Sequence, residues 1–299
     1  MENAIISGAT GAIGTALIQE LINNNVYVLV ITRKDSARND VIPKHKLVTI
    51  KYCDLENFSQ LQNDTGREFD VFYHFAWSGT FGDARNDLYL QNENVKYALD
   101  AVHLAQRFGC HTFIGAGSQA EYGRVEGKLK PDTPTFPENG YGIAKLCAGQ
   151  MTRIECEKLA INHIWVRILS VYGPNDNPNS MIMSTIAKLK NGDVPKFTKG
   201  EQMWDYLYSG DAARVFYLLW KKGKSGKIYV LGSGKVRPLY EYIEDIRSCV
   251  NTKGKVELGA IPYSDKQVMY LCADTTELEN DLNWYAETSF SDGILKIIK

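Results

Sequence analysis

Tyr141 and Lys145 in "YGIAK" stand four residues apart, so a helix there puts a phenol and an amine on one face. Such a pair can move a proton. A free phenol titrates near ~10, too high for exchange at neutral pH, but a nearby ammonium and an oxidised nicotinamide both favour the phenolate. Lowering the phenol by about three units corresponds to roughly 4 kcal/mol of differential stabilisation. Taken alone, a tyrosine–lysine pair on a helix is an ordinary structural feature, but two further stretches accompany it. "FIGAGSQAEYG" (113–123) ends an apolar strand with Ser118. Its hydroxyl can hydrogen-bond a substrate carbonyl or alkoxide; the alternative is a turn serine. "GATGAIG" (8–14) places Gly8, Gly11 and Gly14 three apart, between an apolar run and an amphipathic stretch. A helix N-terminus offers unpaired N–H groups and a positive dipole end to a phosphate, and glycine lets the backbone come close. Gly8 is expected to make the turn, Gly11 to admit a pyrophosphate and Gly14 to let the helix pack on a sheet. The Gly-Lys-Ser/Thr ending of a P-loop is missing.

The end of the second strand selects the dinucleotide. An Asp or Glu there binds the ribose 2′-hydroxyl of NAD and repels a 2′-phosphate. Here "ITRKDSAR" (31–38) brings Arg33 and Lys34 instead. Two cations at that place pair with the 2′-phosphate of NADP through charge-assisted hydrogen bonds, so NADP(H) is the expected cofactor. NAD is the alternative, because Asp35 follows directly and the cations could form a solvated basic turn.

These residues need a rigid frame. "AIIS" (4–7), "VYVLVIT" (26–32), "KLVTIKY" (46–52), "DVFYHFA" (70–76), "HTFIGAG" (111–117) and "HIWVRIL" (163–169) read as six buried strands. Helical periodicity fills 12–22, 86–108 and 140–161. This alternation predicts an α/β fold with a doubly wound parallel Rossmann sheet, whose ligands sit at the carboxyl ends of the strands. The rhythm breaks after Tyr172 at "GPNDNPNS" (173–180). Helices near 181–191, 210–221, 239–250 and 289–298, with "VPKFT" and "KIYVLG" among them, predict a small C-terminal α+β substrate lobe. The expected division is a dinucleotide-binding domain over 1–174 and a mainly substrate-binding lobe over 175–299, with some segments returning to the first domain.

Composition narrows the function classes. Of 299 residues, 44% are hydrophobic and 23% charged, with a formal net charge of −1, the profile of an ordinary globular chain. No Lys/Arg block stands out, so neither nucleic acid nor a membrane surface is an expected partner. "MENAIISG" lacks a basic segment followed by a long apolar one, so no signal peptide is expected. No apolar run approaches the ~20 residues of a membrane span. Cys53, Cys110, Cys147, Cys156, Cys249 and Cys272 are scattered without a CxxC pair. That predicts free thiols in a reducing cytoplasm and no metal site.

Together the motifs resemble the extended short-chain dehydrogenase/reductase family, specifically its nucleotide-sugar-modifying members, over nearly the whole chain. The matches are GxxGxxG at 8–14, "CDL" at 53–55, "HFA" at 74–76, Asn94, Ser118 four residues before "YG" at 122–123, YxxxK at 141–145, "RILSVYGP" at 167–174 and "LYSGDAA" at 207–213. The resemblance implies that Tyr141 is the acid/base, that Lys145 is its electrostatic partner and a ribose ligand, and that Ser118 orients the reacting hydroxyl or carbonyl. It implies that Asp54 contacts the adenine and that Phe75 and Ala76 line the cofactor, with Thr10, Ala12, Ile13, Leu55, Asn94 and Leu169 completing that site. It also implies a homodimer through a four-helix interface built from 86–108 and 140–161.

The family contains 4,6-dehydratases, epimerases and ketoreductases. Dehydratases resemble "TDE" at the catalytic strand end; here Gln119 and Ala120 stand in the acid positions, and neither is an acid. Glu121 lies where the pattern has an apolar residue and is expected to point away. Epimerases regenerate their cofactor within each turnover and resemble NAD binders, whereas a net reductase exchanges it, which suits NADPH. Arg33 and Lys34 therefore tilt the reading toward reduction of the 4-keto group of a nucleotide-linked 6-deoxyhexose. "HFAWSG", "GSQAEYG" and "GEQMWDYLY" resemble bacterial reductases that use CDP or dTDP carriers. A 4-epimerase is the alternative, and a non-catalytic NADP-binding regulator a third reading. On the substrate side, with Ser118 and Gln119, Ser170 stands where relatives have Asn and Trp204 where they have Arg. That puts one diphosphate contact in doubt. Arg237 could supply the charge or be a surface arginine, and Trp77 could stack on the sugar or belong to the core.

Overall fold

Ile5, Ile6, Val28, Leu29 and Val30 have no exposed surface. Unbroken apolar runs of this kind suit parallel strands covered by helices on both faces. They belong to β1 (Asn3–Ser7) and β2 (Tyr27–Thr32) of a computed structural model that describes residues 1–299. With β3 (Val48–Tyr52), β4 (Val71–His74), β5 (Thr112–Ser118) and β6 (Asn162–Ile168), they form a parallel sheet in the order β3-β2-β1-β4-β5-β6. Three short strands follow, β7 (Ser170–Tyr172), β8 (Met203–Trp204) and β9 (Tyr206–Tyr208). Then β10 (Ile228–Leu231) returns to the main sheet as its seventh strand, parallel to β6, with Tyr229 opposite Val166. The last strand, β11 (Arg237–Pro238), pairs antiparallel with β8, and β7 pairs with β9.

The helices are α1 (Ala12–Asn23), α2 (Leu88–Arg107), α3 (Gly140–Lys158), α4 (Met181–Lys190), α5 (Ser209–Lys222), α6 (Leu239–Val250), α7 (Thr276–Leu282) and α8 (Phe290–Ile298). One face of the sheet is covered by α1, α5 and α7, which bury Leu17, Leu21, Phe216 and Leu278 against Ile6, Val30 and Tyr229. The other face is covered by α2 and α3, packed side by side. There Val102, Ala105 and Phe108 meet Phe72 and Phe113. Helices α4, α6 and α8 gather around Ile182, Ile186, Ile246 and Ile294, outside the sheet. Strand–helix alternation alone predicts this α/β class; the short α7 has too few residues to show a period.

Chain order explains where a ligand goes. From β1 the chain moves outward to β2 and β3, then crosses to β4 on the other side of β1. At such a reversal the loops diverge and a crevice opens beyond the carboxyl ends of β1 and β4. All six cysteines are free, and no helix is long and apolar enough to cross a membrane.

Candidate active site

Gly8 follows β1 with a φ of +76°, a left-handed conformation that costs other residues strain. A Cβ there would lie 2.4 Å from the Ala76 amide nitrogen, so the turns after β1 and β4 touch. A Cβ at Gly14 would lie 2.6 Å from the Ala9 Cα, which is how α1 comes close to the turn it leaves. Gly11 differs, because its Cβ would meet open space. It is the N-cap of α1 and supplies no side-chain cap, whereas Asp87 and Asn139 cap α2 and α3. The first turn of α1 thus keeps hydrogen-bonding capacity for an anion.

A cavity of about 790 Å³ opens beside this turn. Gly8, Thr10, Thr32, Arg33, Lys34, Asp54, Leu55, Ala76 and Trp77 are among the residues that line it, with Asp35 and Glu56. Arg33 and Lys34 are exposed, and no ion pair takes up either charge. The volume, the glycine turn and the two free cations fit a dinucleotide.

Several residues expected at the cofactor are not among those that line this cavity. The Phe75 ring packs on Phe216, with centroids 4.7 Å apart, leaving only its backbone at Gly8. Leu169 is buried among Tyr122, Leu129 and Val230. Ala12 is buried and Ile13 packs partly on the sheet core. Asn94 is 1% exposed, and its whole amide serves the backbone. Its Oδ1 accepts from the Ser78 N–H at 2.9 Å, and its Nδ2 donates to the Ser78 and Leu90 carbonyls at 2.9 and 3.0 Å. Asn94 therefore pins the loop after β4. Gln91 does the same, donating to the Gly79 and Ala84 carbonyls at 2.9 Å and accepting the Trp77 indole N–H at 2.9 Å. Two amides at the head of an otherwise apolar helix face are the sequence signal for this clamp, because buried polar atoms must find partners.

Strand β5 and helix α3 bring Ser118, Tyr141 and Lys145 to one end of the sheet. Lys145 is 3% exposed. Its Nζ donates to the Ala116 carbonyl at 2.7 Å and lies 3.7 Å from the centroid of a Trp77 ring. The Tyr141 ring meets Trp77 edge-on at 6.2 Å, and the Lys145 Nζ is 5.8 Å from the Tyr141 centroid. Trp77 thus joins the cavity to the phenol and the amine, and it also packs against the buried cluster of Val95, Ala98, Ala144, Ala148 and Trp165.

Charge in this corner follows burial. Desolvation pushes the Lys145 amine down to about 7, opposed by the Glu121 carboxylate. Because this amine titrates lower folded than unfolded, it weakens the fold below about pH 7; the penalty fades as pH rises toward the ordinary 10.5. His74, hydrogen-bonded to the Ser7 hydroxyl at 2.9 Å, is pushed down to about 3 by burial and by that lysine. The phenol departs from the expectation of a lowered pKa. Burial raises Tyr141 above its ordinary value, and Ser118 and the Arg85 charge pull it back. The Lys145 amine, itself lowered by burial, donates to Ala116 and lies over Trp77, 5.8 Å from the Tyr141 centroid.

Ser118 is 9% exposed and ends β5. Its Oγ accepts the Ala120 N–H at 3.1 Å, and its own N–H donates to Glu121 Oε1 at 2.8 Å. This capping box closes one 3-10 turn over Gln119–Glu121, with Gln119 half-buried. Glu121 is fully buried and turned toward β6. Its Oε1 also accepts the Trp165 indole N–H at 3.0 Å, and its Oε2 accepts from Arg167 Nε at 2.7 Å. Arg167 in turn donates to the Pro131 carbonyl at 3.1 Å and lies 4.5 Å over the Tyr122 ring. A carboxylate at an apolar place in the family pattern is thus the anchor of the Ser118 turn.

The substrate-side candidates form a separate group. The Trp204 indole N–H donates to Ser170 Oγ at 2.8 Å, so the two departures from the family pattern occupy one place together. Arg237 lies opposite Trp204 across β8 and β11. Its guanidinium donates to Asp245 at 2.7 Å and stacks 4.2 Å over Tyr242, so its charge is paired within the chain.

Residues 4–232 match the model of the NAD dependent epimerase/dehydratase family. The chain is similar to CDP-abequose synthase of Salmonella typhimurium, 23% identical over 100% of this chain and 98% of that protein. It is also similar to a putative UDP-glucose 4-epimerase of Methanocaldococcus jannaschii, 23% identical over 98% and 96%. The fold superposes on UDP-N-acetylglucosamine 4-epimerase from Methanobrevibacter ruminantium in complex with UDP-N-acetylmuramic acid, with a TM-score of 0.89 at 19% identity over 99% and 97%. It superposes on UDP-glucuronic acid 4-epimerase from Bacillus cereus in complex with UDP-glucuronic acid and NAD, with a TM-score of 0.85 at 20% identity over 99% and 97%.

Proposed function

Because the chain belongs to the NAD dependent epimerase/dehydratase family, whose members here are nucleotide-sugar-modifying enzymes, we propose that it reduces the 4-keto group of a CDP- or dTDP-linked 6-deoxyhexose with NADPH. One observation carries the direction of the reaction. The cavity wall at the end of β2 presents Arg33 and Lys34 with no acid paired to them. Those cations suit a 2′-phosphate, and NADPH is the form a net reductase exchanges at each turnover. Gln119 and Ala120 beside Ser118 leave no acid for dehydration.

When bound, the dinucleotide supplies a hydride to the sugar carbonyl carbon. Tyr141 gives its phenolic proton to the carbonyl oxygen. Ser118 Oγ already accepts from Ala120, which leaves its O–H to donate to the same oxygen. Lys145, buried, and Trp77, half-buried, form the inner wall beside the phenol. The nucleotide sugar is placed against the lobe built mainly from 175–299, and the enzyme in the cytoplasm, where free thiols persist.

The assay is NADPH consumption with CDP-, dTDP-, UDP- and GDP-linked 4-keto-6-deoxyhexoses. Reduction of at least one is expected. The 4-epimerase reading, which draws on the epimerases among the relatives, wins if none is reduced while a 4-hydroxyl sugar is inverted without added cofactor. Arg33→Ala should weaken NADPH roughly tenfold or more, the worth of a charge-assisted hydrogen bond, and leave NADH binding unchanged. A preference for NADH in both wild type and variant would sink the cofactor assignment.

A homodimer is part of the same proposal. Leu88, Tyr89, Ile143, Met151 and Ile154 stand exposed on α2 and α3, apolar surface that a second copy would cover. Light scattering should then give twice the 33.6 kDa of one chain, and a monomeric mass would reject it.

A further inference from the structure

The Arg85 guanidinium carbon lies 4.5 Å from the centroid of the Tyr141 ring. We propose that Arg85 is a positioning residue of the proton-transfer step, holding a fixed positive charge that adds to the stabilisation of the Tyr141 phenolate. The proposal rests on the reading above only in taking Tyr141 as the proton donor.

Its placement is built rather than incidental. Arg85 sits on a 3-10 turn, Gly82–Asn86, in the loop that Gln91 and Asn94 clamp. Asn86 Oδ1 accepts the Gly140 N–H at 3.1 Å, tying this turn to the start of α3, one residue before Tyr141. A Cβ at Gly140 would lie 3.0 Å from the Arg85 carbonyl oxygen and 2.8 Å from the Leu88 side chain, so glycine permits the approach. The guanidinium donates once within the chain, to the Thr80 carbonyl at 3.2 Å. No carboxylate pairs with it. Asp83 is exposed, and Asp87 is engaged as the N-cap of α2.

Among this chain's groups around the phenol, Arg85 brings a charge that does not vary with pH. Ser118 is neutral. Glu121, behind it, is an anion held by Arg167. Lys145, one turn along α3, donates to Ala116, and burial lowers its amine toward about 7, so its charge varies with pH where that of Arg85 does not. Arginine stays protonated at every working pH. In the reduction, the hydride and its electron pair pass from the reduced nicotinamide to the carbonyl carbon. The carbonyl oxygen takes the phenolic proton, the dinucleotide leaves oxidised, and Tyr141 is left as an anion. That anion forms beside Arg85, where a cation over an aromatic face is already favoured.

A fluorinated tyrosine at position 141, followed by fluorine NMR against pH, reads the phenol without substrate or turnover. The result therefore stands whether or not a sugar ketone is reduced. Arg85→Gln should move the phenol midpoint up by roughly one pH unit or more, and Arg85→Lys should restore most of the shift. Arg85 is half-exposed, so both variants are expected to fold. A midpoint in Arg85→Gln that coincides with the parent's overturns the proposal. So does an equal shift in Arg85→Lys, because packing rather than charge would then be responsible.

Discussion

Tyr141→Phe is expected to lower kcat by about a hundred- to ten-thousandfold while dinucleotide affinity stays near that of the parent chain. The substitution removes one oxygen and keeps the ring. Its edge-on contact with Trp77 and the Arg85 guanidinium over its face therefore survive. The phenol is not among the groups that line the dinucleotide cavity, which explains why binding is spared. What disappears is the proton that the sugar oxygen must receive, and Ser118 cannot replace it, since a serine hydroxyl is far too weak an acid near neutrality. Stopped turnover with an unchanged fluorescence titration of NADPH is the signature to look for. Equal loss of both would make Tyr141 an architectural residue.

Glu121→Ala is the largest expected loss of stability, about 3–5 kcal/mol. The carboxylate is fully buried and satisfies three donors, the Ser118 amide, the Trp165 indole and Arg167 Nε. Removing it leaves Arg167, 3% exposed, as an uncompensated charge inside the protein. The urea midpoint should fall accordingly. Glu121→Leu combined with Arg167→Met takes both charges away and should recover most of the loss, because well-packed apolar pairs often match a buried ion pair. If Glu121→Ala costs less than about 1 kcal/mol, the pair is not the anchor described. The double variant has a second use. With the fold restored but the Ser118 amide unanchored, activity should stay low, separating the stability of the turn from its geometry.

Much of the fold was legible in the chain because it rests on local signals. Apolar runs and helical periodicity mark six strands and the long helices, and the glycine spacing at 8–14 marks the first turn. Gly8, Gly11 and Gly14 could be assigned different expected parts from sequence, since a strand-to-helix turn constrains its own backbone. The candidate site was only partly legible. Asn94 and Phe75 sit on matching motif positions, yet one clamps a loop and the other packs on Phe216. Motif position told where each backbone runs but not which atoms a side chain meets.

The sequence by itself determined the class of the sheet, the glycine turn after β1, the cationic end of β2 and the one-turn spacing of Tyr141 and Lys145. All of these depend on residues close along the chain, where periodicity and backbone geometry decide. Tertiary structure alone decided the partners. Glu121 meets Arg167 forty-six residues away, and Trp204 meets Ser170 thirty-four residues away. Arg85 reaches Tyr141 only because Asn86 docks on Gly140. Desolvation is likewise a property of the packed state, and it raised the phenol and lowered the amine against the expectation from their chemistry in water.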